Sequence, residues 1–133
     1  MIIKTVNGKT PIIPEDCYIA ENATIVGDVI FGSSCSIWFN AVVRGDVNSI
    51  SIGNKVNIQD GAIIHCTYEK HATKIGNNVS IGHRAIVHGC VVEDNVLIGM
   101  GAIVMDNCVI GNNSIIAAGA VVTQNTIVPS GTI

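Results

Sequence analysis

The sequence predicts an all-β solenoid of short parallel strands coiled into a prism, and three observations predict it. Aliphatic residues recur every six positions through almost the whole chain: Ile13, Ile19, Ile25, Phe31, Ile37, Val43, then Ile52, Ile58, Ile64, then Ile75, Ile81, Val87, and finally Val92, Ile98, Val104, Ile110, Ile116, Val122 and Val128. A small or compact residue stands four positions after each, as in Ala23, Ala41, Ala62, Ala85 and Ala102, with Cys17, Cys35 and Cys108 in the same place and Val47 and Val91 expected to fill it at irregular corners. Glycine follows many of the aliphatics directly (Gly32, Gly53, Gly76, Gly82, Gly99, Gly111), ahead of turn formers such as Asn54, Asn77, Asn95 and Asn112. Each unit therefore reads as one short strand and one corner. A helix is excluded, because apolar spacings of four, two and six do not draw the stripe at three and four that an amphipathic helix needs. A fixed period of this kind marks repeats that bury their apolar side only by stacking on neighbours.

Such chains resemble the left-handed parallel β-helix, in which three hexapeptides close one triangular coil. The handedness is implied by that resemblance, since periodicity does not set it and parallel crossovers are otherwise right-handed. The coils then begin at Ile13, Phe31, Ile52, Ile75, Val92 and Ile110, about six over a single domain of residues 1–133. The coil from Phe31 is interrupted by a three-residue insertion at Ser49–Ser51, and the coil from Ile52 carries surplus residues between Tyr68 and Ile75. The coil from Ile75 is one residue short between Val87 and Val91. All three irregularities fall at the corner after the third face, and interruptions gathered on one edge of a solenoid commonly mark its binding side.

Composition removes several classes of function. With 48% apolar and 13% charged residues, the 133-residue chain has ample material for a continuous core. A net charge of -3, no cluster of lysine or arginine and only five aromatic residues (one Trp, two Tyr, two Phe) offer nothing to a nucleic acid backbone. No apolar run approaches the roughly 18 residues of a membrane span, and Met1–Thr10 lacks an apolar leader, so no membrane is expected and a cytoplasmic address is. Five cysteines, an odd number without paired spacing, read as packing residues rather than a disulfide framework.

Stacking the coils generates two polar columns. The second position of the third-face units gives Val26, Arg44, His65, His88, Met105 and Thr123, so two histidines remote in sequence become neighbours. Adjacent strands lie about 4.8 Å apart, close enough for two imidazoles to converge on one ion at the roughly 2.0–2.1 Å of a Zn–N bond. The third position of the second-face units gives Glu21, Phe39, Asp60, His83, Met100 and Ala118, with Gln59 beside it. A rigid prism holds His83 too far round to reach the same ion. A symmetric ring in which His83 of one subunit completes the pair of its neighbour solves this, because heterologous contacts that close give cyclic symmetry. A homotrimer with three interfacial metal sites is expected.

Over residues 10–128 the chain resembles the γ-class carbonic anhydrase family, through Arg44-Gly45-Asp46, Asn57-Ile58-Gln59-Asp60, His65, Ile81-Gly82-His83 and Val87-His88-Gly89. The resemblance implies a trimer that binds Zn²⁺, or alternatively Fe²⁺ or Co²⁺, through His65, His88 and the His83 of the next subunit. It implies reversible hydration of CO2 to bicarbonate by metal-bound hydroxide, with the pKa of water lowered from 15.7 to about 7. Gln59 would orient the bound hydroxide or bicarbonate, and Asn57 would help to place substrate. Arg44 would pair with Asp46 or Asp60 across the subunit boundary, although these three also suit a purely structural interface set. The chain departs from the family's pattern in two respects. Val47 stands where the most active prototype has an acidic proton shuttle, leaving His71 in the short loop Glu69–Lys74 as a candidate, and the sequence stops at Ile133 before the helix that members usually pack along the prism.

Two other functions fit the same repeat. Hexapeptide solenoids also serve acyl- or acetyltransferases that use acyl-CoA, although this chain lacks a long loop presenting the base and a basic feature for the cofactor. A non-catalytic metal-binding or structural trimer is the other.

Overall fold

A computed structural model describes residues 1–133, and it contains strands and no helix. All named strand pairs are parallel, and they stack as the rungs of a triangular prism, a left-handed parallel β-helix of about seven turns counting the part coils at its ends. The second face is a 6-stranded sheet of β2 (Tyr18–Ile19), β4 (Ser36–Ile37), β6 (Asn57–Ile58), β9 (Ser80–Ile81), β12 (Leu97–Ile98) and β15 (Ile115–Ile116). The third face stacks β1 (Ile2–Lys4), the first part of β3 (Thr24–Phe31), the first part of β5 (Val42–Ile52), β7 (Ile63–His65), β10 (Ile86–His88), β13 (Ile103–Val104) and β16 (Val121–Val122). The first face stacks the remainders of β3 and β5 with β8 (Thr73–Ile75), β11 (Val91–Val92), β14 (Val109–Ile110) and β17 (Ile127–Val128). Because β3 and β5 run through the corner between third and first faces, those two faces form one 11-stranded sheet.

The hexapeptide period places one aliphatic of each unit inside the prism. A cluster of 30 buried residues fills it, Ile25, Ile37, Ile58, Ile64, Ile81 and Ile98 being wholly enclosed. Each such side chain stabilises the fold by roughly 1.5–3 kcal/mol, and only when the next rung covers it. Cys35, Cys66, Cys90 and Cys108 are buried free thiols and Cys17 is half-buried. Burial pushes the Cys35 and Cys66 thiols up and the Cys90 thiol up to about 12, so these are packing residues rather than nucleophiles. Two expected core positions differ. Val47 is only half-buried, and Ile50, opposite Val29 of the neighbouring rung, takes the interior place after the insertion. Val91 is only half-buried on the outer side of β11, and Cys90, three residues after Val87, takes the interior place, because the shortened corner at Gly89 shifts the inward phase by one.

The corners are held by side chains that bridge rungs. Asn54 Oδ1 accepts the Ser33 N–H, Asn77 Oδ1 accepts the Asn54 N–H, Asp94 Oδ1 accepts the Asn77 N–H and Asn112 Oδ1 accepts the Asp94 N–H, at 2.7–3.0 Å. This ladder runs up the corner between first and second faces and satisfies backbone donors that no strand reaches. Asp94→Ala is expected to cost about 1–2 kcal/mol by leaving the Asn77 N–H unserved. Urea unfolding checks it: the midpoint should fall with the slope unchanged.

Candidate metal centre

The interrupted corner of the third face gathers Arg44, Asp46, His65 and His88. β7 and β10 pair in register with His65 opposite His88, and Val26 stands opposite Arg44 one rung earlier, as the column predicts. His65 Nδ1 lies 3.1 Å from His88 Nε2. The three-residue insertion is absorbed where β3 and β5 lose register between Gly27 and Val29, and the bulge turns Asp46 towards the histidines. Asp46 Oδ1 sits 2.9 Å from His65 Nε2, while its Oδ2 receives Arg44 Nη1 at 2.5 Å. On the opposite side, Asp106 Oδ1 lies 2.5 Å from His88 Nδ1, and its other oxygen accepts the Thr67 hydroxyl. An unbroken polar chain thus runs Arg44, Asp46, His65, His88, Asp106, Thr67.

The electrostatics fix the tautomers. Burial raises the Asp46 carboxyl, but hydrogen bonds from His65 and Arg44 outweigh it and hold the group below the usual carboxylate range. Burial also raises Asp106, and hydrogen bonds from Thr67 and His88 with the nearby His88 and His71 charges bring it below that range as well. Both carboxylates are ionised and can only accept, so His65 donates from Nε2 and His88 from Nδ1. The remaining nitrogens, His65 Nδ1 and His88 Nε2, face one another at hydrogen-bond distance. Only a proton or a cation between them satisfies both. Two nitrogens bound to one tetrahedral zinc stand about 3.3 Å apart, so the observed pair fits such an ion, and carboxylates behind the histidines are the usual support of a metal ligand.

His83 lies on the second face, half-exposed, with Nδ1 3.0 Å from Asp60 Oδ2. With Ser36, Trp38, Asn57, Gln59 and Asp60 it lines a cleft of about 360 Å³. No three metal-ligating side chains of one chain converge on a point. The structure therefore brings His65 and His88 together with Arg44 and Asp46, and separately brings His83 together with Asp60, Gln59 and Asn57. Within the chain, Arg44 pairs with Asp46 through one guanidinium nitrogen.

Asp106, Thr67 and Trp38 escaped sequence reasoning. Asp106 follows Met105, the next member of the histidine column, so the position after each column residue was the signal to read. Thr67 and Trp38 gave none, since an outward polar or aromatic residue has no periodic partner.

The profile of the bacterial transferase hexapeptide family (six repeats) matches residues 89–124. A probable carbonic anhydrase of Methanocaldococcus jannaschii is 54% identical over 90 residues, covering 68% of this chain and 56% of that protein. The mitochondrial gamma carbonic anhydrase 1 of Arabidopsis thaliana is 46% identical over 99 residues, covering 71% of this chain and 36% of that protein. The chain belongs to the γ-class carbonic anhydrase-like family of hexapeptide-repeat proteins. The fold is shared with a solved structure: a hexapeptide transferase family protein from Anaplasma phagocytophilum aligns with a TM-score of 0.93 at 42% identity, over 98% of this chain and 76% of that one. The chain spans 36% to 56% of the length of these two curated γ-class relatives. No helix is long and apolar enough to cross a membrane.

Proposed function

We propose that the chain forms a homotrimer holding one Zn²⁺ at each subunit boundary through His65 and His88 of one protomer and His83 of the next, and that it hydrates CO2 reversibly in the cytoplasm. One observation carries this reading: each of the three histidines has one ring nitrogen against a carboxylate, the other nitrogens of His65 and His88 converge at 3.1 Å, and the three are divided between two faces of one prism. The third face around His88 also leaves Ile63, Met105 and Val121 exposed, an apolar strip suited to a neighbouring protomer. Asp46, Asp106 and Asp60 orient the three rings. Arg44 holds Asp46. Gln59 and Asn57, in the His83 cleft, supply amides able to bind the oxygens of bicarbonate. When bound, zinc supplies the Lewis acidity that makes hydroxide available at neutral pH. His71, whose charge bears on Asp106, is the candidate to exchange protons with solvent.

The test is stopped-flow CO2 hydration on zinc-loaded protein, with metal content measured on the same sample. About one zinc per protomer and a hydration rate above buffer that chelation abolishes support the reading. A fully metallated protein with no rate above buffer defeats it. The likeness to a hexapeptide transferase family protein favours one rival, an acyl-CoA-dependent transferase, which instead requires acetyl-CoA binding that survives chelation.

A further inference from the structure

Trp38 follows the end of β4 with its indole half in solvent, its ring centroid 4.9 Å from that of Tyr18. What it does there follows from its hydrogen bond. Trp38 Nε1 donates to Asn57 Oδ1 at 2.9 Å, and Ser36 Oγ donates to the same oxygen at 3.0 Å. The arrangement is built by register: Ser36 stands opposite Asn57 in the parallel β4–β6 pair, and Trp38, two residues on, points to the same outer side. An indole N–H can only donate, so the Asn57 atom it meets is the amide oxygen. Two donors fill both lone pairs of that oxygen. The NH2 of Asn57 has no partner in the chain and belongs to the cleft shared with Gln59, Asp60 and His83.

We propose that Trp38 is a positioning residue: acting through Asn57, it locks the carboxamide so that the cleft is offered a hydrogen-bond donor and never an acceptor, which selects an oxyanion such as bicarbonate. Without the indole N–H, Asn57 is free to rotate its carbonyl oxygen into a cleft that already holds the Asp60 carboxylate, and an anionic substrate would be repelled. This inference rests on the carbonic anhydrase-like reading for the identity of the anion, but not for the lock itself.

Trp38→Phe removes the N–H and keeps the aromatic ring against Tyr18. In zinc-loaded protein the expected result is a KM for bicarbonate in the dehydration direction raised about three- to tenfold, the worth of one hydrogen bond, with kcat changed less than twofold. Metal content and assembly should match the parent protein. A merely structural role for Trp38 predicts no such split, with zinc content and kcat falling together, and that result overturns the proposal. A second measurement is independent of turnover. In ¹⁵N–¹H spectra, added bicarbonate should shift the Asn57 side-chain NH2 signals of the parent protein, and in Trp38→Phe this response should need about three- to tenfold more bicarbonate. If the parent protein hydrates no CO2 but still gives this pair of titrations, the lock stands and the enzymatic reading falls. Identical titrations in both proteins, or no response in either, overturn the lock.

Discussion

His65→Ala and His83→Ala, each expected to carry almost no zinc and no hydration activity alone, will regain about a quarter of the parent sites when the two variants are co-expressed in equal amounts. The figure follows from ring geometry. Random assembly of two kinds of protomer into a ring of three makes about three rings in four mixed. In either kind of mixed ring, a single boundary joins the intact His65 and His88 of one protomer to the intact His83 of the other. If all three histidines served one protomer, co-expression would restore nothing, since every chain carries a lesion. Both side chains point out of the core, His65 largely shielded by its polar neighbours and His83 half-exposed, so far-UV circular dichroism should be unchanged in each variant. Zinc per protomer, measured alone and after co-expression, decides between the two arrangements.

That experiment is designable because the period-six aliphatics dictate the rung spacing, and the rung spacing dictates the columns. Once Ile64 and Val87 are set inside the prism, His65 and His88 have no alternative but to stand side by side outside it. The same logic puts His83 over Asp60 on the other face. What the pattern does not constrain is the corner. Hydropathy says which residue points inward along a strand, but the phase through a corner depends on backbone conformation, so Cys90 rather than Val91 reaches the core. That Arg44 meets Asp46 within one chain depends on the same corner, because the bulge after Gly45 brings Asp46 back onto its own guanidinium. Asp106 and Trp38 act through single hydrogen bonds to residues 18 and 19 positions away, and only coordinates reveal these.

The corner that hides these contacts is also where one methyl group does most damage. Gly27→Ala is expected to destabilise the protein by about 4 kcal/mol, against about 1 kcal/mol for Gly101→Ala. Both glycines hold a left-handed backbone, φ +79° and +66°, so both variants incur the strain of a side chain there. The difference is space. A Cβ on Gly101 meets nothing within 4 Å, whereas one on Gly27 would lie 2.2 Å from the Gly45 carbonyl oxygen, a backbone atom fixed by the next rung. Neither β3 nor β5 can yield without opening the other, because Gly45 in turn has Asp28 O only 2.5 Å from where its own Cβ would be. The displaced Gly45 carries Asp46 with it, so the hydrogen bond that orients His65 goes with the corner. Gly27→Ala should therefore lower the denaturation midpoint and also weaken zinc binding in the protein that remains folded, while Gly101→Ala should lower the midpoint slightly and leave zinc affinity alone. Equal zinc affinity in the two variants would mean that the close packing of Gly27 on Gly45 does not govern where Asp46 sits.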